Sequence, residues 1–315
     1  PPFPPDQSRN RRGLANWLTS ADHPLAPRVA VNRLWQLCLG HGLMRTPEDF
    51  GSQGDPPTHP ALLDWLARDF VDHGWDVKRT LKQIVMSATY RQSSVATPEL
   101  FRRDPENHLY ARAPRHRLGA EMIRDSALAA SGLLVRNLGG PPVRPYEVAV
   151  SFKPVERDKD QGIYRRSVYT YWKRTAPAPV MMSLDASKRD VCSVKRERTS
   201  SSLQALVLLN DPQLVEAARM LAQHVVLRHG DDTGAAIDDV FRILTARHPT
   251  DRQREILERL YREQLDHFQS DPSRAERFLT IGDAPRDESI DAARLAALGV
   301  VASAVMNLDE CVMRR

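Results

Sequence analysis

Cysteine is scarce in this 315-residue chain: Cys38, Cys192 and Cys311 are widely spaced and odd in number. A disulfide framework is therefore excluded as the basis of the fold, although one bridge stays open. Cys38 falls on an apolar helical face, where an inert buried thiol is expected. No C-x-x-C-H occurs, so the chain itself attaches no haem. The G-x-G-x-x-G, P-loop, H-E-x-x-H and G-x-S-x-G patterns are missing too, which removes the main nucleotide-binding, zincin and serine-hydrolase readings. The ten histidines show no i, i+4 pair, and the sequence predicts no metal. No window approaches the ~18 apolar residues of a membrane span. No internal repeat is visible. The opening PPFPPDQSRN has no initiator Met and no signal-peptide core, and residues 1–9 read as a linker stub, so further chain is expected upstream.

What is present is an ordinary globular balance, 41% hydrophobic and 27% charged residues. A chain this long can bury roughly three quarters of its unfolded surface, in one large domain or two modest ones. The pattern is mostly of period 3.6. Leu14, Trp17 and Leu18 share a face of a first short helix. Val31, Leu34 and Cys38 stripe a second from Arg28 to Leu39, with Arg28, Asn32 and Gln36 along another face. A third carries Leu62, Leu63, Leu66 and Phe70. Asp76 caps a fourth expected to run to about Arg91. A polar connection covers 92–117, and a helix from Leu118 to Leu134 stops at the Asn137–Pro142 turn. Beyond Ser200, Asp211-Pro212 and the capping box Thr250-x-x-Gln253 open further helices, and Leu295, Leu298, Val301, Ala302 and Val305 stripe the last, from about Ser289 to Met306.

The period changes only near the middle. Tyr146, Val148, Val150 and Phe152 alternate with polar or small residues, and Tyr164–Trp172 is rich in aromatic and β-branched side chains. The expected fold is therefore mainly α, a multi-helix domain with a small β-hairpin insertion near 146–172. Residues 10–311 form one mainly helical domain in this reading, divisible into lobes at 10–140 and 200–311 joined by the segment 141–199.

Two stretches carry candidate chemistry. The loop Arg45–His59 packs polar side chains among Gly51, Gly54, Pro56 and Pro57; its Asp49 and His59, with Asp64 just beyond, could form an acid/base or metal-binding group. The same residues have structural uses: Asp49 on backbone amides, His59 as a helix cap, Asp64 as a first-turn acid. The second stretch is basic. Residues 144–200 hold 13 Lys and Arg against 7 acids, although the whole chain is only +5. There Arg165, Arg166, Lys173, Arg174, Lys195, Arg196 and Arg198 are interleaved with Tyr164, Tyr169, Tyr171 and Trp172. Arginine offers paired donors to sulfate, phosphate or carboxylate, and aromatics offer stacking faces to sugars or bases. The alternative use is internal pairing with Asp185, Asp190 and Glu197.

Three segments together, NRLWQLCLGHGLMRTPEDFGSQGDPPTHPALLDWLARDF, YRRSVYTYWKRTAPAP and KRERTSSSLQALVLLNDPQLVEAAR, with the closing NLDE, resemble the planctomycete-specific C-terminal domain known as domain of unknown function 1553. The resemblance covers nearly all of residues 10–311. The chain departs from it at Ser200–Ser202, where relatives carry a Thr/Asn/Pro-type turn. The resemblance implies a C-terminal module of an exported bacterial protein, periplasmic or at the cell envelope. Its partners would be upstream domains of the same polypeptide, including a cytochrome c-like region that would hold any haem. It implies no reaction. Two readings follow: an accessory module that docks or binds an anionic or sulfated polysaccharide through Arg165, Arg166, Tyr169, Trp172, Lys173, Arg174, Arg196 and Arg198; or an enzyme, or part of one, acting on polysaccharide, with Asp49, His59, Arg166 and Arg198 in its pocket. Nucleic acid ranks below both.

Overall fold

A computed structural model describes residues 1–147 and 156–314. The chain divides into two compact units, Pro1–His116 and Arg117–Arg314. Among the described residues the protein is mainly α, with fifteen α-helices and two strands of two residues each. No helix among them is long and apolar enough to cross a membrane.

In the first unit, α1 (Arg11–Leu18) is capped by Asn10, whose side chain accepts from Gly13 N. Its expected apolar face is only lightly used, since Leu14 is 47% exposed. The core forms where α2 (Ala26–Leu39) packs on α3 (Pro60–Asp72) and α4 (Val77–Met86), burying Val31, Trp35, Leu63, Leu66, Phe70 and Ile84. Asp76 caps α4 through Arg79 N, but the helix breaks at Ser87, which caps a separate turn, α5 (Ala88–Arg91). The connection read as polar contains α6 (Pro98–Arg103), capped by Thr97.

The second unit starts along β1 (His116–Arg117), which pairs with the C-terminal strand. α7 (Ala120–Ala130) ends at Ser131 and Gly132, short of the expected Leu134, because Gly132 turns the chain at φ +74°. Two 3-10 turns, Gln161–Tyr164 and Ser167–Tyr169, precede α8 (Pro179–Ser183). α9 (Ser202–Asn210) opens on a capping box between Ser201 and Gln204, so the serine run makes a sound N-terminus. α10 (Pro212–His229), capped by Asp211, and α11 (Thr233–Thr245) follow; α12 (Asp251–Ser270) opens on the expected Thr250–Gln253 box. α13 (Pro272–Leu279), α14 (Ala292–Met306), the turn α15 (Asp309–Val312) and β2 (Met313–Arg314) complete the unit.

α10 and α14 form its axis. α14 has a single charged residue, Arg294, and small residues on several sides, so it is buried nearly all round, with Leu295, Leu298, Val301, Ala302 and Val305 at 1% exposure or less. Gly299 permits that fit, since a Cβ there would lie 2.8 Å from the Phe278 ring. α11, α12 and α13 close this core, and α7, α8 and α9 build a second one against the start of α10.

The small β component sits elsewhere than the alternation suggested. Residues 148–155, the body of the expected first strand, lie outside the described residues. Tyr164–Trp172 forms 3-10 turns touching neighbours through isolated parallel bridges, Val135 with Arg165 and Val143 with Thr170. Hydrophobic and aromatic alternation alone cannot separate a strand from a tied-down turn. The boundary between units falls at 116–117, not within 141–199, because α7 buries Ile123, Ala127 and Leu128 within the second unit.

Candidate anion-binding site

The site begins with a buried cation. Arg124 projects from α7 and is 3% exposed. Its guanidinium donates to Ile163 O (2.6 Å), Arg165 O (2.9 Å), Ser167 Oγ (3.1 Å) and Gln213 Oε1 (2.6 Å). The next residue, Asp125, accepts from Ser167 N (2.8 Å) and Ser167 Oγ (2.6 Å). Consecutive α7 side chains thus clamp the turn 163–167. A buried guanidinium this well supplied with acceptors is tolerated because each donor it loses from water is replaced.

Arg165 uses the same chemistry in reverse. It is 8% exposed, and its guanidinium reaches Pro141 O (2.9 Å), Asn137 O (3.2 Å) and Gly139 O, stacked 3.8 Å over the Tyr169 ring. Gly139 N donates to the Tyr169 hydroxyl at 2.7 Å. Arg165 therefore ties the Asn137–Pro141 turn to the 164–169 turns. The backbones are also paired, with Val135 N donating to Tyr164 O at 3.1 Å. Below them Tyr164 is buried and bonded to Glu216 Oε1 at 2.6 Å; burial, and then that carboxylate, push its pKa up.

Arg136 and Arg166 follow the paired residues Val135 and Arg165, so they leave neighbouring backbones roughly 5 Å apart. Both are exposed, and among the described residues neither has an acid partner. Both line an open cleft of about 740 Å³ with Arg189, Arg196, Glu121 and Asp125. Arg196 is bound to Glu121 (2.8 and 3.0 Å), and Arg189 lies over the Trp172 ring at 4.9 Å. Trp172 also donates to Lys188 O at 2.7 Å, which holds the irregular segment 187–198 beside the cleft. Four arginines against two carboxylates leave an excess of positive charge in the cleft, which favours an anion there.

The expected binding residues separate accordingly. Arg166 and Arg196 line the cleft. Arg165, Tyr169 and Trp172 are outside its lining, and the last two each have a ring face covered by an arginine, Arg165 and Arg189. Lys173 makes an isolated bridge with Ala176 and borders a small separate hollow. Arg174 and Arg198 are exposed, outside the cleft lining. Arg136, Arg189, Glu121 and Asp125 were not singled out from sequence; only the pairing of Val135 with Arg165, thirty positions apart, brings Arg136 to the site.

In the first unit, Asn32 is fully buried and pins the start of the polar loop, accepting from Met44 N (2.9 Å) and donating to Met44 O (3.1 Å). Asp49 accepts from Gly51 N at 2.5 Å, an Asx turn. His59 is the N-cap residue of α3, yet its side chain makes no capping bond; Nδ1 lies 3.1 Å from Thr58 Oγ1 and the ring packs on Tyr110. Asp64 pairs with Arg28 at 2.7 Å. Among the described residues no hydrogen bond joins any two of Asp49, His59 and Asp64, and no three His, Cys, Asp or Glu side chains gather as a metal set. These three lie in a different unit from the arginine cleft.

The described residues define a mainly helical protein with a positively charged cleft. Residues 10–261 match the family described as Protein of unknown function (DUF1553), and the chain belongs to that family. Neither a curated protein nor a solved structure matches it.

Proposed function

We propose that the second unit is a recognition module for an anionic oligosaccharide, held at the cleft between α7 and the turns that carry Arg136 and Arg166. The observation that supports this reading most is the adjacent, unpaired Arg136–Arg166 couple on a backbone tied down at every neighbouring residue. The clamps of Arg124, Asp125 and Arg165 fix in advance the two backbones that carry these arginines, so the ligand has only the two side chains left to order. Glu121 and Asp125 in the same cleft favour sugar over nucleic acid. Carboxylates accept from sugar hydroxyls, whereas a continuous run of phosphates would meet them as like charges. The exported setting implied by the family resemblance agrees with a glycan partner.

Titration calorimetry with a sulfated and a matched neutral oligosaccharide tests this. The sulfated ligand should bind and the neutral one should not. Arg136→Ala and Arg166→Ala should each weaken binding about tenfold or more, the range for losing one charge-assisted hydrogen-bonding partner. Equal binding of both sugars, or of neither, would overturn the reading.

A second reading, docking against other domains of the same polypeptide, draws support from α9, whose Leu203, Leu206 and Leu209 are 62%, 57% and 41% exposed. Three leucines at helical spacing facing outward are what a partner surface covers. Leu206→Glu should abolish co-purification with the upstream domains while leaving the sugar titration unchanged.

A further inference from the structure

The arginine cleft adjoins a second cavity of opposite character. This one, of about 410 Å³, lies among α7, α9, α10, α11 and α14, and its walls are apolar: Ile123, Leu208, Leu214, Ile243, Leu244 and Met306. Two of the polar groups at its margin, Glu310 and Cys311, are spoken for. Glu310 is paired with Arg247 at 3.0 Å. The Cys311 thiol, pushed up to about 12 by burial and the neighbouring Glu310, stays neutral and bonds Val305 O at 3.1 Å. A cavity of this size and lining suits a hydrocarbon segment and would gain nothing from a sugar.

The two spaces share a wall. Ser126 and Ala129, one helical turn apart on α7, line both. Both are small and exposed, so the ridge between the charged cleft and the apolar cavity is low. A side chain the size of leucine at either position would raise it. Among the described residues these two alone line both spaces.

We infer that the ligand is an amphiphile, an anionic glycolipid whose charged head lies on Arg136 and Arg166 while one acyl chain crosses the Ser126–Ala129 ridge into the apolar cavity. This rests on the reading of the cleft as an anion site and adds the chemistry of the rest of the ligand. The charge excess in the cleft selects the head, and the adjoining apolar volume selects the chain. Each methylene buried in such a cavity is worth roughly a fourfold gain in affinity, so a chain that enters leaves a clear signature.

The test compares ethyl sulfate, decyl sulfate and the neutral decyl maltoside, all far below micelle-forming concentrations, on the full chain and on Ile243→Asp. Ile243 is 37% exposed at the cavity margin, so the variant places a charge there without emptying the core. Decyl sulfate should bind at least tenfold more tightly than ethyl sulfate, and Ile243→Asp should erase that difference. The sulfated oligosaccharide should bind the variant as it binds the parent, which shows the variant folded and the cleft intact. Equal affinity for the two sulfates would overturn the inference and leave the cleft reading standing. Decyl maltoside binding as tightly as decyl sulfate would overturn it too, since head and chain would then be independent. Failure of the sulfated oligosaccharide on the parent chain is a separate result and takes both readings down.

Discussion

Removing the Arg124 guanidinium leaves the carbonyl of Arg165 and Oε1 of Gln213 without their buried donor, and leaves Ile163 O with Gln213 Nε2 alone. Arg124→Ala should cost about 3 kcal/mol or more in urea unfolding, because buried acceptors go unsatisfied and a large side chain leaves a void. Arg124→Lys restores the charge but not the fork, and should recover less than half of that loss. Arg166→Ala, by contrast, removes an exposed side chain without an acid partner; stability should change by less than about 0.5 kcal/mol while anion affinity falls. The two neighbouring arginines, 165 and 166, thus have opposite work, one tying turns together and the other facing the cleft. In sequence they are indistinguishable. The composition of the basic stretch raises an anionic partner as an expectation; which of its arginines are spent on backbone carbonyls depends on the Asn137–Pro141 turn packing beside it, a contact no local pattern encodes.

At the scale of elements, helix starts were the most legible feature. Asp76, Asp211 and Thr250 cap through their own side chains, a chemistry confined to four consecutive residues. Turns whose shape is set by distant residues were not legible, hence the 3-10 turns at 161–169. α10 and α11 are held by Asp239, 4% exposed, which accepts from Arg228 (2.6 Å), His229 (2.9 Å) and Arg242 (3.0 Å). Burial by itself would raise its pKa; the hydrogen bonds from His229, Arg242 and Arg228 outweigh burial and hold it at about 2, against 3.8 for a free side chain. The folded pKa is the depressed one, so the pair is fully stabilising above pH ~4 and loses its contribution as pH falls from there through 2. Acid unfolding should therefore be shallower in Asp239→Asn over that window, with the variant about 2 kcal/mol less stable at neutral pH. At the end of α11, Ala246 sits at φ +60°, so Ala246→Gly should stabilise the protein by up to about 1 kcal/mol in the same assay.

For the molecule as a whole, charge and site need to be weighed together. The net charge is +5, yet the basic excess lies in 144–200 and only part of it faces the cleft. A polyanion attracted by the overall field would make many weak contacts, whereas a ligand seated on Arg136 and Arg166 makes a few strong ones. Salt separates the two. Displacing counterions at two or three contacts should lower sulfated-oligosaccharide affinity roughly tenfold to fiftyfold between ~50 and ~200 mM salt, while a nucleic acid engaging six to ten phosphates would lose about 10³–10⁵. The measured slope of log affinity against log salt thus counts the contacts. A slope of two to three that falls by about one in Arg136→Ala, and again in Arg166→Ala, places the ligand on the arginine couple. A steep slope indifferent to both substitutions assigns the attraction to the basic segment at large and leaves the cleft without a role in it.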